Sequence, residues 1–273
     1  MQKIHLLVID PQVDFCDPNG ALFVQGAFED MSRLSAFLNR VQDKISDIHV
    51  TLDSHHLIDI AHPIFWCDTD GKSPDPFTII TAADVENGVW RTKMPSHQKR
   101  AEDYVKLLET NGRYPLCIWP PHCLIGSRGY AVLPTFFAAL RAWEEERFRV
   151  VDYVTKGSNP WTEHYSAIQA DVPDPKDPST QLNSRLIDTL MEADQVLIAG
   201  EAGSHCLANT VRDVANNFKD ESYIGKLVLL EDATSPVQTF EKFQEDFIKE
   251  MTARGMQITT TTEWMKEGSA ALV

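Results

Sequence analysis

The sequence predicts an α/β protein, a three-layer α/β/α sandwich around a mainly parallel central sheet. Three observations lead there. Apolar runs at 4–9 and 196–199 are too short for helices and do not alternate with polar residues, the pattern of strands buried on both faces. Stretches of helical periodicity alternate with such runs along the chain, an order that places helices on both faces of a parallel sheet. With 273 residues, 43% of them hydrophobic, the chain can bury one large core and carry insertions.

The elements follow in order. Residues 4–9 form the first strand, ended by Asp10-Pro11. After the turn Asp17-Pro18-Asn19-Gly20, residues 28–45 read as an amphipathic helix and 48–52 as the next strand, ending at Asp53. Residues 104–111 have helical character. Residues 133–146 have more, with Phe137, Leu140 and Trp143 at helical spacing. A strand at 150–154 and a helix at 183–191 precede the run 196–199. A helix begins at Cys206, with Leu207, Ala208, Val211, Val214 and Ala215 on or near one face. A strand at 227–230, a helix at 240–254 and a strand at 257–261 complete the alternation. The stretch 56–116 is the least regular, with Pro63, Pro74, Pro76 and Pro95 and few periodic runs. It reads as an insertion or lid within a single domain spanning 1–273. The acidic, proline-rich loop 171–178 is either a functional loop or a surface excursion.

Charge and cysteine content narrow the function classes. A net charge of −15 argues against nucleic acid as a partner and against anionic membranes. The excess acid reads as a solvated surface. The five cysteines, Cys16, Cys67, Cys117, Cys123 and Cys206, form no regular framework, which points to reduced thiols and a cytoplasmic protein. The N-terminus enters a strand directly, with no signal peptide in evidence. No apolar run approaches the ~18 residues of a membrane span.

The candidate chemistry lies at strand ends. Cys206 opens a helix after the strand 196–199 and the small residues Gly200, Ala202 and Gly203. The free N–H groups and dipole of a helix start favour an anion, which lowers a thiol's pKa, and the same groups can bind an oxyanion. The alternative is a buried packing cysteine. Asp10 ends the first strand, where open α/β sheets place ligands. Lys156 follows the strand 150–154. Alone, each of these two is as readily a turn or solvated residue. Asp53 and His55 are two apart on a strand and point to the same side, so both can reach one ion. The other reading is a polar turn with ordinary surface histidines.

Five segments carry a resemblance: Asp10-Pro-Gln-Val-Asp-Phe15 with Gly20-Ala-Leu22, Leu52-Asp-Ser-His55, Trp119-Pro-Pro-His-Cys123, Lys156-Gly-Ser-Asn159 with Tyr165-Ser-Ala167, and Gly200-Glu-Ala-Gly-Ser-His-Cys206. In these segments, and in their order, the chain resembles the isochorismatase-like cysteine hydrolases, and within them the nicotinamidase-like, metal-containing branch.

The resemblance implies a function. Cys206 would be the nucleophile that forms a thioester with an amide substrate. Asp10 would be general base and then acid, and Lys156 its electrostatic partner, lowering the pKa of both anions. The N–H groups of Ala202 and Cys206 would form the oxyanion hole, with a cis peptide between Glu201 and Ala202. His122 would join Asp53 and His55 around a divalent metal, zinc first, iron(II) or manganese next. His56 and His62 are alternates for one ligand position. Phe15, Phe23, Trp119, Trp161 and Tyr165 are candidate walls for a flat heteroaromatic amide, and His205 is expected to point away. A homo-oligomer is also implied.

Nicotinamide is thus the first substrate and another small amide, ureide or carbamoyl compound the second. A non-catalytic binding or regulatory protein is the third reading, and a cysteine-free vinyl-ether hydrolysis fits less well. Two departures bear on the substrate. The gap from His55 to His122 is long, and Glu201 stands where relatives usually carry an apolar residue.

Overall fold

A computed structural model describes residues 2–111 and 113–270. The chain begins with β1 (Ile4–Ile9), α1 (Val13–Cys16), α2 (Ala27–Val41) and β2 (Ile45–Asp53). The stretch 56–116 holds β3 (Trp66–Cys67), β4 (Ile79–Ile80), α3 (Ala82–Glu86), β5 (Arg91–Thr92), α4 (Gln98–Asn111) and β6 (Leu116–Cys117). Then come α5 (Pro134–Arg147), β7 (Asp152–Lys156), α6 (Ser184–Met191), β8 (Gln195–Gly200) and α7 (Cys206–Asn217). β9 (Leu227–Leu230), α8 (Glu241–Ala253), β10 (Gln257–Thr259) and α9 (Thr261–Ala270) end the described chain.

Six strands form one sheet in the order β10-β9-β8-β1-β2-β7, and every pairing in it is parallel. From β1 the chain steps outward through β2 to β7, then returns to β8 and steps outward the other way. The crossovers run in opposite directions from the centre of the sheet, α2 packs with α5 and α7 with α8, and the right-handed rule for parallel crossovers sets the two pairs on opposite faces. The strand order reverses between β1 and β8, so a crevice opens beyond their C-terminal ends. Adjacent strands β7, β2, β1 and β8 all end along that edge, and they lead to Lys156, Asp53, Asp10 and the 200–206 loop.

All six residues of β1 are buried, as a central strand requires. α2 buries Met31, Leu34, Phe37, Leu38 and Val41, one apolar stripe at helical spacing, and its acidic residues Glu29 and Asp30 sit in the first turn. The predicted helix 28–45 ends early because Ile45 pairs with Ile4 and belongs to β2. β2 is longer than the predicted 48–52 because its interior is partly polar. His49 is buried and paired, its Nε2 lying 3.1 Å from His5 Nδ1 and its Nδ1 3.0 Å from Asp152 Oδ2.

The predicted strand 150–154 is shifted two residues by its register, which sets Asp53 opposite Lys156. α9 was not anticipated; the strand predicted at 257–261 runs into its first residue. Asp232 accepts bonds from the Thr261 backbone and hydroxyl, both at 2.7 Å, and Trp264 packs edge-on against Phe37. Among the described residues, no helix is long and apolar enough to cross a membrane.

The stretch 56–116 is tied to the loops at the sheet's C-terminal edge. Ile60 N–H donates to the Pro160 carbonyl, Trp119 N–H to the Ala61 carbonyl, and Glu163 N–H to the Tyr104 hydroxyl. Trp66 is fully buried, and its indole N–H donates to the Ile60 carbonyl at 2.6 Å.

Candidate active site

Asp10, Lys156 and Cys206 meet at the strand-order reversal. Lys156 Nζ lies 2.9 Å from Asp10 Oδ2, 3.0 Å from Asp53 Oδ1 and 3.5 Å from Cys206 Sγ. All four groups are buried. Asp10 is held by Thr51, whose hydroxyl donates to Oδ1 at 2.5 Å and accepts from the Asp10 N–H at 3.0 Å. Its φ of 44° turns the chain sharply at the end of β1.

Burial sets the protonation here. It pushes the Cys206 thiol well above its usual range, and Lys156 offsets only part of that. Burial likewise raises Asp10, against Lys156. Burial pulls on Lys156 in the neutral direction, but Asp10 and Asp53 outweigh it and hold the ammonium well above its ordinary pKa. The expected lowering of the thiol and of Asp10 is therefore overturned for the free protein: desolvation exceeds what one lysine and a helix start supply. The thiol stays protonated in the free protein and gives up its proton during attack.

The loop Gly200–Cys206 presents the backbone. The Glu201–Ala202 peptide is cis, as the resemblance implies. The N–H groups of His205 and Leu207 donate to the Ala202 carbonyl. Among the described residues, no hydrogen bond occupies the N–H of Ala202 or Cys206, so both can bind a developing oxyanion.

Asp53, His55 and His122 are buried, and one ligand atom from each lies within 4.8 Å of the others. His55 Nε2 is 3.0 Å from Asp53 Oδ2, and His122 Nε2 is 3.4 Å from it. The outer nitrogens are occupied. His55 Nδ1 meets Asp59 Oδ2 at 3.0 Å, and His122 Nδ1 donates to the Pro120 carbonyl at 2.8 Å. Each ring thereby turns its Nε2 toward Asp53, the second-layer arrangement that metal-ligating histidines use. The Gln12 side chain pairs with the Asp53 backbone at both N–H and carbonyl, each at 2.7 Å, and fixes the carboxylate. This donor set fits a divalent metal.

His56 is exposed. His62 is buried beside the cluster, its ring centre 5.3 Å from that of His55, with Nδ1 against the Leu57 carbonyl. Its Nε2 has no hydrogen-bond partner, and burial lowers its pKa to about 4.

One cavity joins the two clusters. It encloses about 420 Å³, its open mouth included, and its wall holds Cys206, Lys156 and the three metal-site residues. Phe15, Trp119 and Tyr165 line it as expected. Phe23 does not, and Leu22 takes its place. Residues 22 and 24 are bonded through their backbones to Asp14 and Phe15 and face inward, so the intervening side chain faces the other way. Trp161 also lies elsewhere, stacked under the Arg100 guanidinium at 4.1 Å.

His205, expected to point away, lines the cavity. Its ring lies 5.4 Å from Trp119, and burial drops its pKa to about 3, so it is neutral. Glu163 was not anticipated. It lines the cavity and accepts from the Trp119 indole at 3.1 Å, and burial pushes its carboxyl up to about 8. Asp59 was also missed; a histidine four residues upstream that needs its Nδ1 fixed is the signal that could have found it.

The sequence matches no family model and no curated protein. Its structure is similar to solved ones over nearly its whole length. The yeast nicotinamidase bound to the inhibitor nicotinaldehyde superposes with a TM-score of 0.65 at 19% identity, covering 94% of this chain and 99% of the other. The Acinetobacter baumanii nicotinamidase/pyrazinamidase gives 0.64 at 19% identity, covering 97% and 99%. The Pyrococcus horikoshii pyrazinamidase in complex with zinc gives 0.55 at 20% identity, covering 94% and 99%. The chain therefore has the isochorismatase-like α/β/α fold that the nicotinamidases share, with its candidate site at the reversal of strand order.

Proposed function

We propose that this protein is a cysteine-dependent amidohydrolase and that its substrate is nicotinamide, converted to nicotinic acid and ammonia. The observation that carries this reading is the cavity in which Cys206 and Lys156, the lysine paired with Asp10 behind it, stand beside a buried Asp-His-His set. Cys206 attacks the amide carbon while its proton passes to Asp10. The carbonyl oxygen takes up negative charge against the N–H groups of Ala202 and Cys206. Asp10 then returns the proton to the departing nitrogen, and ammonia leaves a thioester on Cys206. Water attacks the thioester carbon and loses a proton to Asp10, the C–S bond breaks to free the acid, and Asp10 returns the proton to the Cys206 sulfur. Lys156 stays charged throughout and balances whichever of Asp10 and Cys206 is anionic.

Asp53, His55 and His122 would hold zinc, with iron(II) or manganese as the other metals this donor set accepts. When bound, such a metal supplies a Lewis-acidic position for a ring nitrogen or for water. Phe15, Trp119 and Tyr165 would sandwich a flat ring, with neutral His205 and Glu163 as hydrogen-bonding groups at its edge. The likeness to nicotinamidases supports the choice of substrate. In this reading the chain is one domain with 56–116 as an insertion roofing the site, cytoplasmic, and a homo-oligomer.

The test is ammonia release by the metal-loaded protein from nicotinamide beside pyrazinamide, benzamide, small ureides and carbamoyl compounds. Nicotinamide is expected to give the highest kcat/KM. A ureide or carbamate hydrolysed in its stead would keep the cysteine chemistry and discard the substrate. No turnover of any panel member would favour a binding role.

A further inference from the structure

Glu201 is fully buried at the end of β8, one residue before a candidate oxyanion donor. Its Oε2 accepts from the Ser235 N–H at 3.1 Å, and its own N–H donates to the Ile9 carbonyl at 2.7 Å. Ser235 is a junction. Its carbonyl accepts from the Gly203 N–H at 2.9 Å, and its hydroxyl donates to Asp30 Oδ2 on α2 at 2.5 Å. Arg33, one turn along α2, donates to Asp30 Oδ1 at 2.5 Å and to the Asp232 carbonyl at 2.6 Å.

Ser235 thus bridges the two carboxyls, its N–H to Glu201 and its hydroxyl to Asp30, while Glu201 Oε1 is buried with no hydrogen-bond partner among the described residues. Burial raises both carboxyls, and the Asp30 charge raises Glu201 further. Asp30 has the Ser235 hydroxyl and Arg33 to favour its ionised form, so Glu201 is the one held neutral. The other titratable group facing the pair is Cys16 of α1, whose thiol burial keeps protonated. An apolar side chain could fill this space without desolvating two acids. What the acids add is direction: they tie 201 and 203 to α2 through fixed bonds.

We infer that Glu201, Ser235 and Asp30 form a clamp that positions the Ala202–Cys206 turn for attack on the substrate. This rests on the amidohydrolase reading, and Glu201 is a positioning residue, since it lies behind the loop and not in the cavity wall.

The test compares Glu201→Gln, Glu201→Leu and Asp30→Val in the metal-loaded protein. Each is measured for kcat, for KM and for the rate of Cys206 alkylation by iodoacetamide. Glutamine keeps an acceptor for the Ser235 N–H without a charge, so it should restore kcat to within about threefold of wild type. Glu201→Leu and Asp30→Val should each lower kcat by about tenfold or more, with KM little changed and alkylation slowed. The double variant should be little worse than either alone, because both break the same bridge through Ser235.

If Glu201→Leu does not fold, Asp30→Val tests the same bridge from α2. Wild-type kcat and alkylation in the two disrupting variants would overturn the clamp, as would a glutamine variant as slow as the leucine one. If wild type hydrolyses no amide, the functional reading fails by itself, and the alkylation rates alone decide the clamp.

Discussion

Cys206→Ala is expected to lower ammonia release from nicotinamide by about 10⁴-fold or more, while the melting temperature and bound metal stay as in wild type. The thiol is the group in the cavity that both meets the Lys156 ammonium and stands beside the N–H groups of its own loop. Removing it leaves the oxyanion donors and the ring-binding walls, which sustain only slow attack by water. The fold should tolerate the change because Cys206 sits at the first turn of α7, whose buried stripe continues through Leu207, Val211 and Val214. Steady-state kinetics beside a thermal melt check both halves. A variant that keeps a tenth of wild-type activity would remove Cys206 from the chemistry. Cys206→Ser should be nearly as slow, since Asp10 would have to deprotonate a much weaker acid.

His55→Ala should leave the protein without its metal and lower kcat/KM by at least about 10²-fold. His55 contributes Nε2 toward Asp53 and is itself oriented by Asp59. Its loss leaves a carboxylate and one imidazole, too few donors to retain a divalent ion against a chelator. The graded counterpart is Asp59→Ala, which keeps all three ligands and frees one ring. That change should weaken metal affinity by about 10–100-fold. Metal content after dialysis against a chelator reads both variants independently of turnover. Full metal occupancy in His55→Ala would move the site away from Asp53 and His122.

The residues legible in the sequence are those fixed by strand ends. Apolar runs define β1, β2 and β8, and a side chain just beyond such a run must emerge at the sheet's C-terminal edge. That is why Asp10, Asp53 and Cys206 are found together. Lys156 was placed after its strand and proves to end it, because register with β2 carries β7 two residues further.

The cavity wall was less legible. Whether Leu22 or Phe23 faces inward depends on backbone bonds from a turn to α1, and periodicity does not report them. Trp161 is drawn aside by Arg100, and His205 is turned inward by the loop before α7. Protonation was misjudged for a related reason. Helix dipole and lysine can be read from sequence, but full burial of the thiol, which outweighs them, is a property of the packed fold.

Glu201 shows the opposite case, a departure visible in the sequence whose meaning needed the structure. Beside the cysteine loop it reads as an unwelcome charge. In the fold it is an acid that burial keeps neutral, tied to α2 through Ser235.

The central claim is a thioester on Cys206, and interception by hydroxylamine tests it most directly. The wild-type protein, turning over nicotinamide with rising hydroxylamine, should form nicotinohydroxamate at the expense of nicotinic acid, while ammonia release does not slow. That partition requires an acyl group that outlives the departure of ammonia. Undiminished nicotinic acid with no hydroxamate, at hydroxylamine concentrations that leave the enzyme active, would mean that water attacks the amide directly and would contradict the account.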